Sequence, residues 1–293
     1  MNPAAASTHR PAGPRLAVLA DIHGNRRALE AVITDLERWQ PTLVVVAGDV
    51  INRGPYPVEC LDRVLELRDA SGWAITRGNH EEYVLQCANP PYSPDSIEMQ
   101  VFRGAHWTFD QLDDVHRASI EELPAQLELR DPAGGAVHIT HASATGLVEG
   151  IFPWFGPDEI SPLIDAESDL FVVAHTHCPL DVTVNSTRVV NVGSVGLPFD
   201  RDHRASYGRF TWVDETWQVE IVRLEYDRAA AEADFESSGF LADSGPLAPL
   251  VLDEIRSAES RLFQWMEQYY EKVIAGELRP EEAARRFLRS LDR

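Results

Sequence analysis

Three short and wholly apolar runs recur along the chain, and each ends abruptly in polar residues. They occupy residues 16–20 (LAVLA), 43–47 (LVVVA) and 170–174 (LFVVA). Apolar runs of this length, bounded by polar or turn-forming residues, are typical of strands that are buried on both faces of a sheet. The pattern therefore predicts three interior strands.

Amphipathic segments separate the first strands. Apolar positions fall on one helical face between residues 28 and 36, a second helix is expected over residues 57–68, and a short strand follows at residues 73–76. Strands that alternate with helices in this way predict a parallel sheet covered by helices. In such sheets ligands bind at the carboxyl ends of the strands, which is where the polar clusters of this chain lie.

The later pattern divides the rest of the chain. Residues 89–117 lose the strand rhythm and predict a helical insertion, whereas residues 205–213 and 216–224 alternate like a hairpin. Beyond Asp227 the pattern is helical. We expect a flexible N-terminal tail over residues 1–14, one α/β domain over residues 15–226, and a helical C-terminal extension over residues 227–293 that packs on the domain.

Charge and composition exclude several classes of protein. The formal net charge of −21 repels polyanions, so no stable binding of DNA or RNA is expected. No apolar run approaches the ~20 residues that a membrane span requires. The three cysteines, Cys60, Cys87 and Cys178, lack CxxC spacing, which argues against a disulfide scaffold or a cysteine zinc site. These features predict a cytoplasmic protein without membrane association.

Metal-ligating residue types collect at the strand ends. The run 170–174 stops at His175 and His177, whose i, i+2 spacing projects both imidazoles to one side in extended backbone. Carboxylates, an amide and further histidines follow the other strands. The full set of candidate ligands is Asp21, His23, Asp49, Asn79, His141, His175 and His177.

Seven such residues at the ends of strands are the number that two divalent cations need, with positions left for water and substrate. Taken one at a time, Asp21 or Asp49 has an ordinary interpretation as a helix cap and His141 as a buried hydrogen-bonded histidine. The hypothesis of a metal centre depends on their coincidence.

Five blocks, in order, resemble the calcineurin-like metallophosphoesterases, and in particular their bacterial phosphodiesterase and diadenosine tetraphosphatase branch. These blocks are Asp21-x-His23, Gly48-Asp49, Gly78-Asn79-His80-Glu81, His141 and His175-x-His177. The resemblance implies a β-sandwich flanked by helices. It also implies that Asp21, His23 and His177 bind one metal ion, that Asn79, His141 and His175 bind the second, and that Asp49 bridges them.

The same resemblance implies catalytic roles for two further residues. His80 resembles the family histidine that contacts phosphate and protonates the leaving group, and Arg53 resembles the arginine that grips phosphate oxygens. The phosphoprotein phosphatases carry an aspartate where this chain has Asn52. A neutral Asn52 removes a carboxylate that would support the imidazolium, so we expect His80 to become charged only at lower pH.

Three functions remain open at this point. The first is a binuclear phosphoesterase that hydrolyses a small phosphorylated substrate, such as a nucleotide or cyclic nucleotide, by metal-activated hydroxide. The second is a protein phosphatase, and the third is a non-catalytic scaffold. The expected cofactors are two divalent metal ions, with Mn²⁺ preferred over Fe, Co²⁺, Ni²⁺ or Zn²⁺, because this mixed ligand set does not select one metal.

Several aromatic residues have two interpretations. Phe102, Trp107, Trp154 and Phe155 could stack a nucleotide base, although aromatic residues at helical spacing usually belong to a core. His106 on the insertion is a candidate substrate contact. The aromatic positions near Trp265 are candidates for a contact between copies of the chain in a homo-oligomer.

Overall fold

A computed structural model of the chain describes residues 13–130 and 135–291. Within these residues there are ten strands and twelve α-helices. The strands are β1 (Arg15–Leu19), β2 (Leu43–Ala47), β3 (Ala74–Thr76), β4 (Gln126–Arg130), β5 (Ala136–Thr140), β6 (Leu170–Val173), β7 (Leu180–Val184), β8 (Thr187–Asn191), β9 (Ala205–Val213) and β10 (Thr216–Leu224).

The helices surround the strands and form the insertion and the C-terminal extension. They are α1 (Arg26–Trp39), α2 (Pro57–Ser71), α3 (Asn79–Gln86), α4 (Ile97–Val101), α5 (Arg103–Gln111), α6 (Asp114–Glu121), α7 (Pro157–Ile160), α8 (Arg228–Ser237), α9 (Phe240–Asp243), α10 (Ala248–Ser257), α11 (Arg261–Ile274) and α12 (Pro280–Leu291). A 3₁₀ turn at Ser161–Leu163 continues α7. No helix in the described ranges has the length and apolar character needed to cross a bilayer.

Two five-stranded mixed sheets face each other. The first has the order β10-β9-β1-β2-β3 and the second the order β4-β5-β6-β8-β7. β1, β2 and β3 are parallel, as predicted, and end the first sheet at the β3 edge, while β5, β6 and β8 are the parallel interior strands of the second sheet. Antiparallel strands form the other edges: the predicted β9–β10 hairpin in the first sheet, and β4 and β7 in the second. This architecture confirms the predicted β-sandwich flanked by helices.

The alternation of side chains along β1 explains why the strand is apolar throughout. Leu16 and Val18 point into the space between the two sheets, where they pack with residues of both. Ala17 and Leu19 point the other way, against α1 and α2. Because both faces are buried, neither tolerates a polar residue. The adjacent Pro14, from the predicted tail, accepts a hydrogen bond from Trp212 at 3.1 Å, and residues 1–12 of that tail lie outside the described ranges.

The C-terminal helices pack against the insertion. Val101 of α4 belongs to one buried cluster with Trp265 and Phe287, and Trp107 of α5 belongs to another with Phe235 and Phe240. Trp265, a candidate for a contact between copies, is fully buried inside this helical layer. The second cluster also contains Leu197, close to the carboxyl ends of the strands. The extension and the insertion thus form one helical layer at that end of the sandwich.

Candidate metal centre

The seven candidate ligands all lie just beyond the carboxyl ends of strands. Asp21 and His23 follow β1, Asp49 follows β2, and Asn79 begins α3 after β3. His141 follows β5, and the pair His175 and His177 follows β6. Six of the seven side chains are buried, and His175 is close to buried. The topology therefore brings together residues that are more than 150 positions apart.

The loops that carry these side chains have an uncommon backbone. Of thirteen non-glycine residues with positive φ in the described ranges, seven belong to the site: Asp21, His23, Asp49, Asn52, Arg53, His175 and His177. L-residues seldom adopt this conformation, and at functional sites the surrounding structure must enforce it. Bonds between the loops do so, because His23 N donates to the Asp49 carbonyl at 3.0 Å and His175 N donates to Asp21 Oδ2 at 3.0 Å.

Glycine is required where two of these loops touch. A Cβ atom on Gly78 would lie 2.1 Å from Asp49 Oδ1, and one on Gly48 would lie 2.6 Å from the Gly78 backbone. Both distances are shorter than any non-bonded contact allows. The Gly48-Asp49 and Gly78-Asn79 pairs thus place a ligand directly beside a residue that cannot carry a side chain.

A first group of ligand atoms gathers around Asp21 and Asp49. His177 Nε2 lies 3.4 Å from Asp21 Oδ1, and His23 Nε2 lies 3.6 Å from Asp49 Oδ2. The two imidazole Nε2 atoms are 3.2 Å apart. These four residues offer atoms that lie within 4.8 Å of one another.

A second group shares Asp49 with the first. His141 Nε2 lies 3.3 Å from Asp49 Oδ2, while Asn79 Oδ1 lies 2.8 Å from His141 Nε2 and 2.9 Å from His175 Nδ1. The two nitrogen atoms are 3.2 Å apart. The same oxygen of Asp49, Oδ2, therefore faces both groups, as a bridging ligand would.

Backbone carbonyls fix the tautomers of two histidines. His141 Nδ1 donates to the Ala47 carbonyl at 2.9 Å, and His177 Nδ1 donates to the Leu197 carbonyl. The Nε2 atom of each neutral ring then carries a lone pair that points into the centre. Metal-binding histidines are commonly oriented by such hydrogen bonds.

Two observations indicate that this donor set fits a pair of divalent cations. Among the described residues, neither Asp21 Oδ1 nor Asp49 Oδ2 makes a hydrogen bond, although both oxygens are buried, and nitrogens of other candidate ligands, His177 Nε2 at 3.4 Å and His141 Nε2 at 3.3 Å, lie near them. Unpaired buried carboxylate oxygens are costly unless an ion or a proton satisfies them. In addition, ligand atoms at 2.0–2.2 Å from one metal ion are about 3.0–3.5 Å from one another. The distances between candidate ligand atoms given above, from 2.8 Å to 3.6 Å, lie close to this range.

The electrostatics of these side chains favour lone pairs over protons on most of the histidines. Burial lowers the pKa of His175 to about 4 and also lowers those of His23 and His177. His141 differs: burial lowers its pKa, but the charge and hydrogen bonding of Asp49, the charge of Asp21 and the Ala47 carbonyl together outweigh burial and raise the pKa to about 10. Burial raises the pKa of Asp21, and Asp49 reinforces that rise against the opposing effect of His141.

Glu81 organises the centre, a role that the sequence reasoning missed. Its fully buried carboxylate accepts four backbone N–H groups, three at 2.8 Å from Asp49, Val50 and Gly78 and one at 3.2 Å from Ile51. It thereby ties the loop after β2 to the start of α3. The Gly78-x-x-Glu81 spacing is that of a capping box, and this was the available signal.

His80 lies beside the centre and is held by Asn52. Asn52 Nδ2 lies 2.8 Å from His80 Nδ1, while Asn52 Oδ1 accepts from Arg53 N at 2.9 Å and from Thr108 Oγ1 at 3.4 Å. Because Arg53 N is a donor, the amide oxygen must face it and the amide NH₂ must face His80. His80 Nδ1 is then an acceptor, and the ring proton resides on Nε2. Burial lowers the pKa of His80 to about 3.

The exchange of Asn52 for aspartate tests this arrangement. In Asn52→Asp a carboxylate replaces the amide donor, so protonation of His80 Nδ1 becomes favourable and the pKa of His80 rises. We expect the limb of the pH–rate profile that reports His80 to move up by about one to two pH units. Thr108→Val removes the hydroxyl contact with Asn52 and adds no charge, so its profile should stay in place. An unmoved profile in Asn52→Asp would contradict the assignment.

Arg53 also lies at the centre. Its backbone N–H bonds to the Asn52 side chain that contacts His80, and the next residue, Gly54, packs so closely on His23 that a Cβ there would lie 1.8 Å from the His23 carbonyl oxygen. The positive charge of Arg53 is one of the causes that lower the pKa of His23, His80, His175 and His177. Arg53 Nη1 lies 3.7 Å from Oε2 of Glu254, a fully buried carboxylate on α10. The sequence reasoning missed Glu254 as well.

The aromatic residues proposed to stack a nucleotide base differ in their exposure to solvent. Trp107 is buried in the helical layer, whereas Trp154 is 70% exposed and Phe152 stacks on it with 4.7 Å between ring centroids. His106, a candidate substrate contact, is buried, and its Nε2 lies 2.9 Å from the Tyr92 hydroxyl. A different aromatic residue touches the centre, because Phe199 stacks on His177 at 4.2 Å with the ring planes 9° apart.

Similarity to known proteins agrees with this geometry. An uncharacterized protein of Methanocaldococcus jannaschii, MJ0912, is 28% identical over 230 residues, which cover 72% of this chain and 88% of the relative. A crystal structure of a metallophosphoesterase from Sphaerobacter thermophilus superposes with a TM-score of 0.64 at 25% identity and covers 84% of this chain and 99% of that one. The hypothetical protein PH1004 from Pyrococcus horikoshii OT3 shares the fold, with a TM-score of 0.66 at 23% identity over 80% of this chain and 97% of that one.

The sequence profile of the calcineurin-like phosphoesterase family matches residues 14–179, more than half of the chain. This range contains every candidate ligand, and also Asn52, Arg53, His80 and Glu81. The family recognised from the five sequence blocks is thereby confirmed. The chain belongs to the calcineurin-like phosphoesterase family.

Proposed function

We propose that the protein is a binuclear metal-dependent phosphoesterase that hydrolyses a small phosphorylated substrate. The observation that carries the proposal is the pair of ligand groups that share Asp49 Oδ2 and surround two buried carboxylate oxygens that make no hydrogen bond to any described residue. Asp21, His23, Asp49 and His177 would hold one cation, and Asp49, Asn79, His141 and His175 the other. Two divalent cations held there would lower the pKa of a water molecule and neutralise negative charge on phosphoryl oxygens.

The protein's own residues supply the remaining steps. Arg53 Nε makes no hydrogen bond to any of the described residues, and the guanidinium would bind and orient the phosphate oxygens. His80 carries a proton on Nε2, and in its imidazolium form, with Nδ1 also protonated, it would pass the Nε2 proton to the leaving oxygen as the bond of that oxygen to phosphorus breaks, and so return to the neutral ring. A new bond forms between phosphorus and the oxygen of water, so the products are an alcohol and a phosphate or phosphomonoester.

The enclosure of the centre favours small substrates over phosphoproteins. His80 and His177 are buried, Phe199 covers one face of His177, and Glu254 of the extension lies against Arg53. A nucleotide or cyclic nucleotide is within the proposed range. A folded phosphoprotein would need an open groove at the same place.

Metal removal tests the proposal directly. We expect the purified protein to hydrolyse bis-p-nitrophenyl phosphate, to lose this activity after treatment with a chelator, and to regain it when Mn²⁺ is added. Mononucleotides, cyclic nucleotides, dinucleoside polyphosphates and a phosphopeptide, assayed side by side, would identify the substrate class. Absence of hydrolysis of every ester at saturating Mn²⁺ would refute the proposal.

A further inference from the structure

Glu254 is a charged residue in an apolar position of α10. Leu250, Val251 and Ile255 form the buried face of this helix, and Glu254 lies on the same face with no exposed surface. One of its carboxylate oxygens, Oε1, accepts the backbone N–H of Leu262 at 2.9 Å. Charged side chains are almost never fully buried unless they are paired, so the second oxygen requires an explanation.

That second oxygen faces Arg53. Glu254 Oε2 lies 3.7 Å from Arg53 Nη1, and Glu254 is the only acid within ion-pair distance of Arg53 among the described residues. Burial raises the pKa of Glu254, whereas the guanidinium of Arg53 lowers it. The two groups are therefore each other's counter-ion in a poorly solvated place, where charges act over longer distances than in water.

The charge of Glu254 consequently changes the electrostatic potential at the place where the substrate binds. The positive charge of Arg53 lowers the pKa of four histidines of the centre. The negative charge of Glu254 beside the guanidinium therefore reduces the positive electrostatic potential at the centre. The two ester classes differ in this respect. A phosphomonoester carries close to two negative charges above a pKa of about 6, whereas a phosphodiester carries one.

We propose that Glu254 is a specificity-determining residue, supplied by the C-terminal extension, which cancels part of the Arg53 charge and makes the centre favour singly charged phosphodiesters over doubly charged phosphomonoesters. This inference rests on the proposed phosphoesterase function and on the position of Arg53 in it. It gives the extension a role at the active site, although the extension lies outside the matched family range.

The test compares Glu254→Gln with the unaltered protein. Glutamine keeps the size of the side chain and an oxygen for the Leu262 N–H, but it removes the charge. With Mn²⁺ and at a pH above 7, we expect the KM for p-nitrophenyl phosphate to fall by about tenfold, while the KM for bis-p-nitrophenyl phosphate changes by less than about threefold. Because the repulsion acts on the bound substrate, kcat for both esters should change little.

Glu232→Gln is the matched control. Glu232 accepts a hydrogen bond from Arg256 Nε at 2.8 Å, so this variant also removes one charge and one ion pair from the helical extension. It does not touch Arg53, and we expect the ratio of the two KM values to stay unchanged. If Glu254 had a purely structural role, Glu254→Gln would instead change the KM values of both esters by similar factors, and this result would overturn the inference.

A binding measurement separates this inference from the proposed function. Calorimetry with inorganic phosphate and with dimethyl phosphate requires no turnover, and Glu254→Gln should bind the doubly charged phosphate about tenfold more tightly and dimethyl phosphate nearly as before. If no ester is hydrolysed but this shift appears, the catalytic proposal fails and the inference stands. If esters are hydrolysed but neither the KM ratio nor the binding ratio moves, the inference fails alone.

Discussion

Replacing Asp49 by asparagine should lower phosphoester hydrolysis at least a thousandfold, the equivalent of about 4 kcal/mol in the activation barrier. The reason is that Asp49 Oδ2 faces both ligand groups, at 3.6 Å from His23 Nε2 and 3.3 Å from His141 Nε2. Asp49 Oδ1 accepts the His80 backbone N–H at 2.9 Å, and asparagine keeps this acceptor and the shape of the side chain but removes the charge that two cations would share. Metal analysis should therefore find fewer than two bound ions per chain.

The fold itself should survive this change. In the metal-free protein Asp49 repels Asp21, but it also attracts His141 and His80, and the pKa of Asp49 is therefore held well below its usual range. Metal-free Asp49→Asn should thus remain folded but unfold at a lower temperature than the metal-free native protein, because His141 loses the carboxylate that stabilises its charge. Asp62→Asn, which alters an exposed carboxylate paired with His116, serves as the control and should retain both ions and full activity. Full activity in Asp49→Asn would exclude a shared carboxylate.

The second large effect concerns Glu81, where glutamine is a disruptive replacement. Each carboxylate oxygen accepts two backbone N–H groups, so either orientation of the glutamine amide points its NH₂ at two donors. Two buried N–H groups then lose their acceptor, and each loss costs about 1–3 kcal/mol. We expect the free energy of unfolding to fall by roughly 2–6 kcal/mol. We also expect metal binding to weaken.

Urea unfolding of the metal-free protein measures this loss. The neighbouring Glu82 provides the control, because it is half-exposed and only 3.6 Å from Arg77 in a surface ion pair. Glu82→Gln should change the free energy of unfolding by less than about 1 kcal/mol. Equal stability of Glu81→Gln and the native protein would show that the four hydrogen bonds do not hold the loops.

The parts of the protein that could be predicted from the sequence depend on short-range patterns. The run at residues 16–20 indicated a buried strand because both of its faces pack on apolar neighbours. Asp21 and Asp49 could be placed in one site because parallel strands end at the same edge. The order of the five blocks then identified the family and with it the sandwich.

The residues that escaped prediction act through contacts between distant segments. Glu254 meets Arg53 across 201 positions of sequence, and Thr108 of the insertion reaches Asn52 across 56. No local periodicity of the sequence predicts such long-range contacts. The position of Glu254 in the apolar stripe of α10 was a visible anomaly, but only the packing of the extension reveals its partner. For Trp154, exposure depends on a loop whose course no local pattern specifies.

The left-handed backbone of the metal-binding loops has an evolutionary consequence. Seven residues of the centre hold a conformation that costs of order 1 kcal/mol or more each, and only the surrounding sheets and hydrogen bonds maintain it. Glycine at any of these positions would relieve the local backbone strain, but it would also remove the side chain that catalysis requires. A descendant that is no longer selected for catalysis would therefore be expected to become more stable and inactive, since the substitutions that remove the catalytic side chains also relieve backbone strain.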